Sequence, residues 1–200
     1  MTEINNEVFL SEDEERLLLR IARDSLTAWV RESQCIGVES YPLTDRLREK
    51  RGAFVTLRKG DELRGCIGYT ANRTPLAETV RDNAVNAACN DTRFPPVMTD
   101  ELDSIWIEIS VLTPGDTPET PYKRIHGPED IVIGRDGLFV QRPGTRGGLL
   151  LPQVAVDQNW GIQEFLEAVC FKAGYPENAW QDPETRLYRF SAQVFAEPRR

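Results

Sequence analysis

The chain has 200 residues, a length that suits one domain or one core with a subordinate lobe. Its 24 Lys and Arg stand against 32 Asp and Glu, a net charge of −8, which disfavours bulk nucleic-acid or anionic-membrane binding because both require excess cation. Hydrophobic content of 40% and charged content of 28%, with four Trp, fit a soluble folded protein rather than a disordered one.

The N-terminal stretch MTEINNEVFLSEDEE is acidic where a secretion signal has basic and then apolar residues. No apolar run reaches the ~18 residues of a spanning helix, so the expectation is a cytoplasmic protein with no membrane association. Ser11 caps a first helix with Glu14 reaching back three residues later, and Leu18, Ile21, Ala22, Ser25, Leu26 and Trp29 form one stripe on it. The connector TDRLREKRG between Pro42 and Gly52 reads as a short helical turn or a solvated loop. Phe54 to Leu57 and Leu63 to Tyr69 read as a hairpin around Lys59-Gly60-Asp61-Glu62. Thr74 caps the next helix, with Pro75 at its first position, and Ala77, Val80, Ala84, Ala87 and Ala88 give it a small-residue face for close packing on a sheet.

Pro95-Pro96 break that helix, and Ile105, Ile107, Ile109 and Val111 alternate along the clearest strand of the chain. The Pro- and Gly-rich stretch 113–128 marks a loop or a boundary between lobes. Ile131–Ile133, Leu138–Gln141 and Leu149–Leu151 read as short strands of a small β lobe, 113–151. Pro152 opens a helical stretch closed by Gly174, and a last strand, Leu187–Phe195, points Tyr188, Phe190, Ala192 and Val194 inward. The expected architecture is an α+β fold with a mainly antiparallel sheet packed with helices, in two lobes of unequal size. Residues 1–200 form a single domain, with 10–112 and 152–196 in the large lobe.

The segment Leu63-Arg64-Gly65-Cys66-Ile67-Gly68 stands out, because glycine inside a strand marks close approach of another backbone or of a ligand. On an extended chain Leu63, Gly65 and Ile67 face one way, while Arg64, Cys66 and Gly68 face the other. A thiol beside a guanidinium has its thiolate favoured, which makes Cys66 the candidate catalytic nucleophile; the opposing reading is a small buried hydrophobe. Candidate substrate-binding residues are Arg64 and Arg93 as anion contacts, Gly65 and Gly68 for close approach, and Asp91 and Glu108. Asp91 and Arg93 also suit a mutual pair that ties down the loop before Phe94-Pro95-Pro96. Glu108 is placed to meet Arg64 across the sheet as a salt bridge, or to serve as acid/base partner of the thiol.

Other chemistry has less support. A serine triad needs a histidine base, and the only histidine, His126, sits in KRIHGPED with no GxSxG elbow in the chain. The cysteines at 35, 66, 89 and 170 have no zinc-ribbon or CxxC spacing and read as reduced thiols, so neither a metal nor a cofactor is implied. The loop 142–148 lacks the lysine and the following helix of a phosphate cradle.

Leu63 to Gly68, taken with Asp91 to Val97, Ile107 to Leu112, Ile133-Gly134, Asp136-Gly137-Leu138, Gly148 to Ala155, Trp160, Phe165-Leu166, Cys170 and Lys172-Ala173-Gly174, resembles the AMMECR domain family. That family is the A component of the AmmeMemoRadiSam system. Asp157 stands where the resemblance leads one to expect a glutamate. The resemblance implies a two-lobed α+β domain and a place in a modification pathway with Memo-type and radical-SAM proteins, without implying a particular reaction. Two readings follow. One is an enzyme or enzyme subunit that takes a small anionic or nucleotide-like ligand in a cleft at LRGCIG, and the other is a non-catalytic binding or scaffold module that presents this surface to those partners.

Overall fold

A computed structural model of the chain describes residues 10–71, 73–117 and 120–199. The sequence divides into two compact units, residues 10–112 with 193–199 and residues 113–192. Residues 1–9, where most of the acidic N-terminal stretch falls, and Pro118 lie outside the described residues.

The larger unit begins with helix α1, Glu12–Glu32. Ser11 caps it as its spacing to Glu14 predicts: the hydroxyl accepts from the Glu14 N–H, while the Glu14 carboxylate accepts from the Ser11 N–H at 2.9 Å. The charged connector holds a single turn, α2 (Asp45–Arg48), capped by Thr44. Strands β1 (Ala53–Lys59) and β2 (Glu62–Tyr69) form the expected hairpin, and β3 (Ile105–Leu112) pairs antiparallel with the other side of β1. Helix α3, Leu76–Cys89, starts one residue later than the Thr-Pro signal suggests. Pro75 keeps an extended ψ of 143° and bridges Lys50, so it occupies the cap, and the Thr74 hydroxyl bonds Thr79 instead. The core lies between α1, α3 and the sheet, where Leu18, Ile21, Leu26, Val80, Ala84, Val55, Leu57, Ile107 and Ile109 are buried.

The second unit contains β4 (Lys123–Ile125), β5 (Asp136–Gln141), β6 (Gly148–Leu150), α4 (Pro152–Asp157) and α5 (Ile162–Lys172). It also holds the first part of β7 (Arg186–Ala196), which pairs antiparallel with β4 on one side and β5 on the other. Four expectations change here. The stretch 152–192 belongs to this unit and not to the large lobe, because Phe165, Leu166 and Val169 of α5 bury Leu138, Val140 and Leu150, which short strands cannot cover alone. The segment 131–133 is not a strand, since the buried Asp136 carboxylate accepts the Val132 N–H at 2.9 Å and folds the chain into a turn. The Pro-rich stretch contains the three-residue β4, too short to show a period. Finally, β7 does not keep one inward parity. Leu187 joins the α5 core, Tyr188 packs on Phe139 at 5.9 Å, and Val194 is 44% exposed. Both faces of β7 are covered in this unit, so strict alternation is not required.

Candidate functional site

The candidate site is built on the β1–β2–β3 part of the larger unit. Gly65 and Ile67 oppose Leu57 and Val55 on the face packed by α3, whereas Cys66 and Gly68 oppose Thr56 and Phe54 on the other face. Thr56 also opposes Glu108 on β3, so Cys66, Thr56 and Glu108 form one row across three strands. The Thr56 hydroxyl donates to the Cys66 sulfur at 3.3 Å.

Both glycines are explained by packing. A Cβ on Gly65 would collide with the Ala87 carbonyl oxygen, so the bare residue lets the backbone of α3 lie directly on β2. A Cβ on Gly68 would enter the Phe54 ring, which takes the space above it. The close neighbour is the protein's own backbone at Gly65, and the Phe54 ring together with the Ala53 carbonyl oxygen at Gly68.

Arg64 and Cys66 do not share a face as regular alternation predicts. The pairing slips between Leu57 and Arg58, so Leu57 meets Gly65, Arg58 meets Leu63, and Arg64 is the extra residue of a bulge. Its guanidinium turns to Glu101, donating from Nε at 2.9 Å and Nη2 at 2.8 Å, and reaches the carbonyls of Pro95 at 2.9 Å and Pro96 at 3.3 Å. Glu101 also accepts the Met98 N–H at 3.0 Å and lies 3.7 Å from Lys59. Glu108 pairs with Arg58 at 3.9 Å, not with Arg64. With side-chain exposures of 12% and 17%, Arg64 and Glu101 form a largely desolvated fork that clamps the diproline loop onto β2.

Asp91 and Arg93 do form the mutual pair. The Asp91 carboxylate accepts from Arg93 Nε at 2.9 Å and Nη2 at 2.7 Å, and also from the Cys66 N–H at 2.8 Å. Arg93 Nη2 donates in turn to the Cys66 carbonyl at 3.4 Å. Strand β2 is an edge strand, and the pair meets the outward N–H and C=O of Cys66 as a neighbouring strand would, which protects the edge from other chains.

The electrostatics follow from these contacts. The Arg64 fork holds Glu101 down at about 2 against the opposing pull of burial, and the Arg93 fork together with the Cys66 amide holds Asp91 well below the usual carboxylate range. Burial pushes the Cys66 thiol up, and the neighbouring Asp91 and Glu108 add to that; the Thr56 hydrogen bond and Arg93 act in the opposite direction without prevailing. At neutral pH the site therefore offers a protonated thiol, and its two arginines already hold carboxylates.

Depressed carboxylates stabilise the fold above their ordinary range and lose that effect as pH falls. Between the ordinary Glu value of 4.5 and about 2, protonation of Glu101 is expected to cost about 2 kcal/mol. Urea unfolding of the wild type from pH 7 to pH 3 should show this loss, and Glu101→Gln should show a flatter profile. Parallel profiles would mean that the clamp carries no pH-dependent stability.

Glu101 was missed by sequence reading because its only local signal is the spacing to the Met98 amide it caps. His126 is exposed in its loop. Among the described residues no group of three or more His, Cys, Asp and Glu is gathered to hold a metal ion, and no helix is long and apolar enough to cross a membrane.

An antiparallel sheet backed by α1 and α3, with a bulged edge strand tied to a diproline loop, defines a particular kind of α+β protein. The AMMECR1 family pattern matches residues 19–195, and the chain belongs to that family. A protein of Methanothermobacter thermautotrophicus is 47% identical over 188 residues, covering 94% of this chain and 96% of its own. Protein TK0174 of Thermococcus kodakarensis is 43% identical over 185 residues, covering 90% and 88%. The crystal structure of the uncharacterized protein PH0010 from Pyrococcus horikoshii superposes with a TM-score of 0.86 at 36% identity, over 96% of this chain and 95% of that one.

Proposed function

We propose that the chain is a non-catalytic binding module that presents the loop 92–98, beside LRGCIG, to a protein partner in a modification pathway. The supporting observation is that this loop is both exposed and held rigid. Arg93, Pro95, Pro96 and Met98 face solvent while the Arg64–Glu101 and Asp91–Arg93 pairs fix their backbone from two sides. A loop ordered before contact loses little entropy on binding, and it combines apolar surface with one guanidinium that is 56% exposed. The family resemblance points to Memo-type and radical-SAM proteins as the partners.

The row Cys66–Thr56–Glu108 favours a second reading, an enzyme subunit that places a small anionic or nucleotide-like ligand against the thiol. The protonated state of Cys66 weighs against it. The two readings separate by experiment. Capture of co-expressed Memo-type and radical-SAM proteins on the tagged chain should give a complex that Met98→Asp weakens at least about tenfold and Cys66→Ser leaves intact. Absence of any complex, together with turnover of a small molecule that Cys66→Ser abolishes, would reverse the assignment.

A further inference from the structure

Two of the four cysteines, one of them exposed, line a single cavity of the larger unit. Cys35 follows the C-terminus of α1 and is exposed. It lines a cavity of about 470 Å³ together with Cys89, Arg81, Trp29, Tyr69 and Asn86. Asp82 also lines it and holds the Arg81 guanidinium, accepting from Nε at 2.7 Å. Cys89 sits in the last turn of α3, half-buried, with its thiol donating to the Val85 carbonyl at 3.2 Å. The other two cysteines lie outside this cavity: Cys66 is bonded by Thr56 within the sheet, and Cys170 is buried in the core of the second unit. Neither Cys35 nor Cys89 takes part in the loop proposed above as the binding surface.

We infer that Cys35 and Cys89 are a dithiol site that exchanges with small-molecule disulfides, the cavity admitting the disulfide and Cys35 attacking first. Two features assign the order of attack. Cys35 is the exposed thiol, whereas Cys89 is half-buried and its proton is committed to Val85. In the first step the Cys35 thiolate attacks one sulfur of the disulfide. A protein mixed disulfide forms, the S–S bond of the reagent breaks, and one small thiolate leaves and takes a proton from water. In the second step Cys89 gives up its proton and attacks the Cys35 sulfur, forming the intramolecular disulfide and releasing the second small thiol. Two electrons pass from the cysteine pair to the reagent disulfide, which is reduced to two thiols. The Cys35 loop, just beyond the left-handed Ser33 that ends α1, is the part that must move to bring the sulfurs to bonding distance.

The probe is oxidised glutathione, applied to the whole purified chain across a series of reduced-to-oxidised ratios, followed by alkylation of remaining thiols and peptide mapping by mass spectrometry. The expected wild-type product is a monomer with a Cys35–Cys89 disulfide and free Cys66 and Cys170. Cys89→Ser should stop at the Cys35–glutathione mixed disulfide, and Cys35→Ser should leave Cys89 unmodified over the same time. Stable glutathionylation of Cys35 in the wild type with Cys89 still free, a Cys35-linked dimer, or faster modification of Cys66 would each overturn the proposal. Because Cys35 is exposed, Cys35→Ser is expected to melt as the wild type does, so its result stands even if Cys89→Ser folds poorly.

Discussion

Gly65→Val is expected to destabilise the larger unit by about 3 kcal/mol, lowering Tm by roughly 6–12 °C, while Cys66→Ser costs no more than about 1 kcal/mol. The asymmetry comes from what each side chain would meet. The first carbon added at Gly65 already collides with the Ala87 carbonyl oxygen. That oxygen belongs to the backbone of α3 and cannot swing aside as a side chain can. Relief requires α3 to move off β2, and the buried contacts of Ala84 and Val80 with the sheet would open with it. At Cys66 the change is one atom, and the serine hydroxyl can still accept from Thr56. Gly65→Ala sharpens the test because the Cβ alone causes the clash, so it should be closer to valine than to glycine. Thermal unfolding of the three variants checks this ordering. A Gly65→Val protein that melts with the wild type would show that the helix does not depend on the missing side chain.

How much of this was legible in the sequence depends on how local each cause is. The capping box of α1, the hairpin, and β3 with its alternating isoleucines are written in neighbouring residues, and the structure places them as expected. The need for close approach at Gly65 was also legible, although the identity of the approaching group was not, because Ala87 is distant in sequence. The error at Arg64 has one cause, a single-residue slip between Leu57 and Arg58. Alternation along a strand holds only until a bulge intervenes, and no residue near Arg64 announces one. The partnership of Arg64 with Glu101 spans 37 positions, and a lone glutamate in a short turn has no pattern to mark it. Similarly, the alternation assigned to β7 presumed one wet face, which fails where Leu187 and Phe190 are buried from opposite parities.

Arg64→Ala is expected to have the other large effect, a loss of about 3–5 kcal/mol, because it removes one partner from a desolvated pair and leaves the other behind. Glu101 would retain only the Met98 amide and the distant Lys59, and the carbonyls of Pro95 and Pro96 would lose their shared donor. Arg64→Lys keeps the charge and still fails, since one ammonium cannot bond two carboxylate oxygens and two carbonyls in the geometry of a planar fork. It should recover less than half of the loss. A double-mutant cycle with Glu101→Gln measures the coupling directly, and near-additive costs would mean that the two side chains do not act together. The same substitution tests the binding surface, because Arg64 is largely covered and lies behind the loop it holds. If rigidity of the loop is what a partner requires, Arg64→Ala should raise amide exchange across residues 92–98 and weaken partner capture, although the exposed side chains are unchanged. Faster exchange with undiminished capture would separate the two effects, leaving the clamp as a stabiliser of the fold and placing recognition in the exposed side chains alone.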